Sequence, residues 1–207
     1  MKLNLPERLY RGDTDSKNQR NLRHAVDHGF IMSNLASGGI GRDIFEKPLL
    51  HLIDKHVAYE WNQTHFLSFS EDKNIAISYG NKDGKLVEED WSSTKDWDFI
   101  LITLKLNEIE DIQQVGDCVY KCNYTPTTFE FARLSDKYSL ILINVVQTLS
   151  ISSERELYED SILKSKESRE WLLLPATEVP LNFNTIEFSS KIDTGNVFTF
   201  QKFKFIR

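Results

Sequence analysis

The run FILITLKL at residues 99–106 constrains this chain more than any other feature. Only Thr103 and Lys105 interrupt its apolar side chains, and Asp98 and Asn107 bound it. A short continuous apolar run of this kind reads as a buried strand. A second run, EWLLLP at 170–175, reads the same way. The chain must therefore build a sheet and cover it.

Other strands fit around these two. RLYRGD at 8–13 is short and breaks at Gly12; HFLSF at 65–69, 115–124 and 137–150 add further candidates. The end, VFTFQKFKFIR at 197–207, reads as an antiparallel strand. Phe198 and Phe200 share one parity and Phe203 and Phe205 the other, which predicts a bulge near Gln201 and Lys202. Helices are predicted over 18–28, 47–60, from Ser70 as cap to about Tyr79, and over 153–166 with a capping box at Ser153 and Glu156. Helices come early and strands late, so the fold class is α+β, with packed antiparallel sheets and flanking helices.

The 207 residues fit one domain over 1–207. The polar stretch 80–98 reads as a loop or insertion. Hydrophobic residues at 40% and charged residues at 27% exclude general disorder. A net charge of −6 argues against coating nucleic acid electrostatically. No membrane span and no secretory leader are legible, and two cysteines make no disulfide framework, so a cytoplasmic location is expected. Neither a G-x-G-x-x-G nor a P-loop is present.

Three segments carry chemistry: Leu9-Tyr10-Arg11-Gly12-Asp13-Thr14; Phe66-Leu67-Ser68-Phe69-Ser70, followed by Tyr79; and Arg169-Glu170-Trp171-Leu172-Leu173-Leu174-Pro175. In this order they resemble the mono-ADP-ribosyltransferase toxins of the cholera and pertussis group. The resemblance runs from about residue 8 to 175. It implies two facing antiparallel sheets with an NAD cleft between them. It also implies transfer of ADP-ribose from NAD to a macromolecular acceptor, with release of nicotinamide and no metal.

Under that resemblance Arg11 anchors the pyrophosphate, because a guanidinium bonds phosphate bidentately and keeps its proton. Gly12 opens space beside it. Glu170 accepts from the ribose and stabilises the cation that develops as the glycosidic bond breaks. Ser68 orients Glu170, with Ser70 as a secondary hydroxyl. Phe69 and Tyr79 are nicotinamide-stacking rings. The segment before Glu170 faces the acceptor, with Ser168 and Trp171 as acceptor-facing residues.

Two positions depart from the family pattern. Phe69 replaces a threonine, and Ser168 stands where a Glu or Gln often precedes the catalytic acid. Ser168 argues against an arginine acceptor and suits a nucleobase amine, a hydroxyl or water. The acceptor class stays open between protein and nucleic acid. Water as acceptor makes an NAD glycohydrolase, and a partner-binding domain without catalysis is a further alternative. A small transferase of this kind suggests an intracellular toxin, held by an antitoxin or used against phage.

Other features have plainer readings. His24 and His28 sit at i, i+4, but no third metal ligand is evident. His51, His56 and His65 are isolated, with His65 preceding the serine strand. Cys118 and Cys122 read as reduced neighbours on one strand face. SGGIG at 37–41 is a connector. Glu88, Glu89 and Asp90 with Trp91 and Trp97 offer a docking surface for an inhibitor. Lys191, Lys202, Lys204 and Arg207 offer a basic patch.

Overall fold

In the computed structural model, the apolar run forms β5 (Phe99–Lys105), buried at every residue except Lys105. The structure describes residues 3–14, 30–31, 49–60, 64, 66–79, 85–89, 98–127, 138–174 and 192–206. The other strands are β1 (Arg8–Thr14), β2 (Phe30–Ile31), β3 (Leu67–Ser70), β4 (Lys85–Glu89), β6 (Asp111–Gly116), β7 (Val119–Tyr124), β8 (Tyr138–Asn144), β9 (Glu170–Leu174), β10 (Ile192–Asp193) and β11 (Phe198–Ile206). The helices are α1 (Leu49–Lys55), which continues as a π-helical turn His56–Glu60, α2 (Lys73–Ser78), α3 (Val145–Ser150) and α4 (Glu159–Ser168).

The class is α+β. Nine strands pair antiparallel in the order β4-β11-β5-β1-β3-β9-β8-β7-β6, and β10 pairs with β2 separately. Pairing is continuous across all nine strands, so the packed layers expected from the sequence are wings of one sheet. One joint is thin. β1 and β3 share a single register pair, Tyr10 opposite Ser70, whereas β1 and β5 pair from Arg8↔Lys105 to Thr14↔Phe99.

The sheet bends around that joint. β3 and β11 stand three places apart, about 14 Å in a flat sheet. Yet the Phe69 and Phe198 rings lie 6.3 Å apart. The two wings therefore fold toward each other over one core. Leu9, Ile102, Leu104 and Phe198 come from one wing; Phe69, Leu142, Trp171 and Leu173 come from the other. On the outer face, α1, α3 and α4 cover β8 and β9 through Ile53, Ile141, Leu149, Ile162 and Leu172. α2 covers β1 and β5 through Ala76, Phe99 and Leu101.

Several local expectations change. Residues 137–150 are not one strand. Asn144 ends β8 and caps α3, its Oδ1 accepting from the Gln147 amide at 3.0 Å. Burial of Val145 and Leu149 then outweighs the weak helix preference of the β-branched run. The helix expected from Ser153 starts as a 3-10 turn, Arg155–Tyr158, before α4. Ser70 does not cap α2; Asp72 does, accepting from the Asn74 amide at 2.8 Å.

The bulge in the last strand is absent. β11 pairs residue for residue with β5 from Phe198↔Leu104 to Phe203↔Phe99. Both faces of β11 are covered there, because Phe198 enters the shared core and Phe203 packs on Phe99 at 5.7 Å on the other face. A parity change then needs no extra residue. Lys202, expected in a basic patch, is 3% exposed. Lys191, Arg207 and the Lys204 side chain lie outside the described residues.

Residues 115–124 form a hairpin rather than one strand. Cys118 sits in its turn at φ 60°, so it does not share a strand face with Cys122. Burial first, then Asp111, pushes the Cys122 thiol up to about 12. The helix at 18–28 with His24 and His28, the connector at 37–41, His65, and 80–84 and 90–97 of the polar stretch lie outside the described residues. No helix among the described residues is long and apolar enough to cross a membrane.

Candidate active site

The site forms where the sheet is thinnest. Past Tyr10↔Ser70 the β1–β3 ladder stops, so β3 needs another partner for its carbonyls. Arg11 supplies one, donating from Nη1 to the Ser68 carbonyl oxygen at 3.0 Å and from Nη2 to Asp13 Oδ2 at 3.1 Å. Its side chain is 19% exposed. A guanidinium with five donors keeps others for a ligand.

Across β3, Ser70 faces Glu170 and Ser68 faces Leu172. Ser68 and Glu170 are thus diagonal neighbours on one face, within reach of a long side chain. The Ser68 hydroxyl stands beside the Glu170 carboxyl and favours its charged form. From α4, the fully buried Ser165 donates to Glu170 Oε2 at 3.1 Å. Burial pushes the Glu170 carboxyl up, and the Ser68 and Ser165 hydroxyls and the Arg11 charge pull it back. Arg11, Ser68 and Glu170 therefore converge from the adjacent strands β1, β3 and β9.

A fourth residue joins them. His56 Nε2 lies 2.8 Å from Ser68 Oγ, and His56 Nδ1 bonds the Thr64 hydroxyl. His56 is 5% exposed and edge-on to Phe66, with centroids 5.7 Å apart. Burial, and secondly Arg11, lowers its pKa to about 3, so the ring is neutral. A neutral imidazole donates from one nitrogen and accepts at the other. Thr64, His56 and Ser68 thus form one line of hydroxyl, ring and hydroxyl that ends beside Glu170.

The sequence did carry a signal for His56. Leu49, Ile53 and His56 stand at i, i+4, i+7, so the histidine lies on the apolar stripe of α1. A polar ring on a buried stripe requires partners. Its π-helical turn is a geometry frequent at functional sites.

The remaining expected residues are placed differently. Gly12 does not open space: a Cβ there would stand 2.1 Å from the Ala76 carbonyl oxygen and 2.5 Å from the Phe99 ring. Ser70 Oγ accepts from the Asp72 amide at 3.0 Å and donates to the Ser168 carbonyl at 2.6 Å, tying β3 to the end of α4. Phe69 lies in the shared core against Phe198, on the face opposite Ser68, and is not a ring of this site. Tyr79, at the end of α2, is half-exposed. The Ser168 hydroxyl turns back to donate to Lys164 O at 3.1 Å. Trp171 is 2% exposed, stacks near Tyr120 and donates Nε1–H to Glu71 Oε1 at 2.6 Å. It reaches the surface only as part of a cavity wall.

That cavity, of about 280 Å³, opens beside Glu170. Glu71, Asn144, Gln147, Lys166 and Arg169 also line it. Arg169 ends α4 in the left-handed region at φ 49° and turns the chain sharply into β9. Its carbonyl accepts from the Glu71 amide at 3.2 Å, which holds Glu71 at the cavity mouth. Among the described residues, no group of three or more His, Cys, Asp or Glu side chains could hold a metal.

No protein-family model, no curated protein and no solved structure matches the chain.

Proposed function

We propose that the chain is a mono-ADP-ribosyltransferase that uses NAD as substrate and releases nicotinamide. The observation that carries the reading is the convergence of Arg11, Ser68 and Glu170 on adjacent strands, where the Ser68 hydroxyl and the Arg11 charge both favour an ionised Glu170. Arg11 binds the pyrophosphate with the donors it does not spend on Ser68 and Asp13. Glu170 accepts from the ribose and stabilises positive charge as the bond from C1′ to nicotinamide breaks. Nicotinamide leaves with that bond's electron pair. Ser68 and Ser165 hold the carboxylate in place before the charge develops, and His56 holds Ser68.

The acceptor is a macromolecule, and the biological setting is an intracellular toxin restrained by an inhibitor or used in phage conflict. A second reading is NAD hydrolysis with water as acceptor. It is favoured by the Ser168 hydroxyl, which bonds back to α4 rather than facing a substrate.

Adenylate-labelled NAD tests the reading. Incubated with lysate polymers, the wild type transfers label to one polymer class and Glu170→Gln does not. Nicotinamide release without labelled polymer moves the assignment to a glycohydrolase. No consumption of NAD leaves a partner-binding domain.

A further inference from the structure

We infer that the cavity beside Glu170 takes an unpaired, amine-bearing base of a nucleic acid as the acceptor. This rests on the transferase reading and names the substrate class of that site. Strand order supplies the first argument. Arg11 on β1 lies on one side of β9, beyond β3, whereas Asn144 ends β8 on the other side. NAD phosphates directed to Arg11 leave the β8 side of Glu170 for the acceptor.

The lining supplies the second. Asn144 Oδ1 is spent on the Gln147 amide, which leaves Asn144 Nδ2 as a donor beside the exposed Gln147 side chain. Side-chain amides match the donor and acceptor edge of a base. Glu71 has one oxygen fixed by the Trp171 indole, so its carboxylate has a set direction and a second oxygen for an N–H. Lys166 and Arg169 are exposed on the same cavity, Arg169 with one long ion pair to Asp72 at 3.8 Å, and they suit the phosphates that flank a base. At about 280 Å³ the cavity admits one base and no duplex, so the base must be unpaired.

The reaction balances within these groups. The exocyclic nitrogen forms its bond to C1′ of the ribose as the bond to nicotinamide breaks. The nitrogen gives up one proton, which Glu71 accepts and passes to water.

Two measurements test this on the full chain, with Gln147→Ala and Lys166→Ala as variants. In the first, a fluorescent mixed-sequence single-stranded RNA or DNA oligonucleotide is titrated and its anisotropy is read. Each variant is expected to weaken binding about five-fold or more, and Lys166→Ala to flatten the salt dependence by about one counterion. Unchanged affinity in both variants overturns the inference, whether or not NAD is turned over. In the second, adenylate-labelled NAD is supplied with the same oligonucleotide. Label is expected on the oligonucleotide, reduced in both variants, while nicotinamide release without acceptor stays within about two-fold of wild type. Label entering protein instead overturns the inference and leaves the transferase reading standing. Absence of NAD consumption by the wild type overturns the transferase reading itself.

Discussion

Ser68 Oγ lies 2.8 Å from His56 Nε2 and stands beside the Glu170 carboxyl, so one hydroxyl sits between a neutral ring and a partly covered acid. This makes His56 a positioning residue that acts through Ser68.

His56→Phe keeps a ring in the site and removes both nitrogen partners. It is expected to lower kcat for nicotinamide release by about 10- to 100-fold, because a small misplacement of a reacting group is costly. His56→Gln places an amide nitrogen near Nε2 and is expected to restore part of that loss. Steady-state kinetics on folded fractions checks this. A residue with only a packing role would change thermal stability and leave kcat untouched.

His56 also gives stability a pH dependence. Its folded-state value of about 3 lies below the ordinary 6.5, so the unfolded chain takes up a proton more readily. The stability tied to the neutral ring is present above pH 6.5 and is lost as pH falls toward 3. Denaturant midpoints at pH 7.5 and pH 5 should therefore drop further for wild type than for His56→Gln. Parallel curves would contradict a buried neutral histidine.

Glu170 works in the opposite sense. Its carboxyl is raised above the ordinary 4.5 by burial, so ionisation costs stability as pH rises through the folded value. Glu170→Gln removes that cost and should raise the melting temperature at pH 7.5 by about 2–4 °C. The gain should shrink as pH falls below the ordinary 4.5, where the acid becomes protonated in both states. Loss of activity with a gain of stability is the expected signature of a residue kept for function.

Gly12→Ala tests the role the structure gives that position. A Cβ would meet the Ala76 carbonyl oxygen at 2.1 Å, so α2 must shift away from β1. A loss of about 1–3 kcal/mol is expected, read as a lower denaturant midpoint. A neutral substitution would mean that α2 moves freely over Arg11's strand.

Local pattern made part of this legible. β5, β9 and β11 declare themselves as apolar runs, and Arg11, Ser68 and Glu170 can be singled out on short strands by residue type and order. Their neighbourhood cannot, because β1, β3 and β9 are joined by pairings 57 residues and more apart, as in Arg11 to Ser68. His56 was missed as an isolated histidine, since its meaning depends on the apolar stripe of α1 and on Thr64 and Ser68 beyond it. Residues 137–150 were misread because one cap, Asn144, converts a β-branched run into strand plus helix. Gly12 and Phe69 misled for a shared reason. Sequence shows that a small residue or a ring is present, but only packing shows what already fills the space beside it.

The most direct test is nicotinamide release from NAD by the purified wild-type chain, compared with Ser68→Ala and Glu170→Gln. Release by the wild type, reduced about 100-fold or more in Glu170→Gln and by a smaller factor in Ser68→Ala, is the predicted result. Folded wild-type protein that leaves NAD intact, or release that survives Glu170→Gln unchanged, would contradict the assignment of this site.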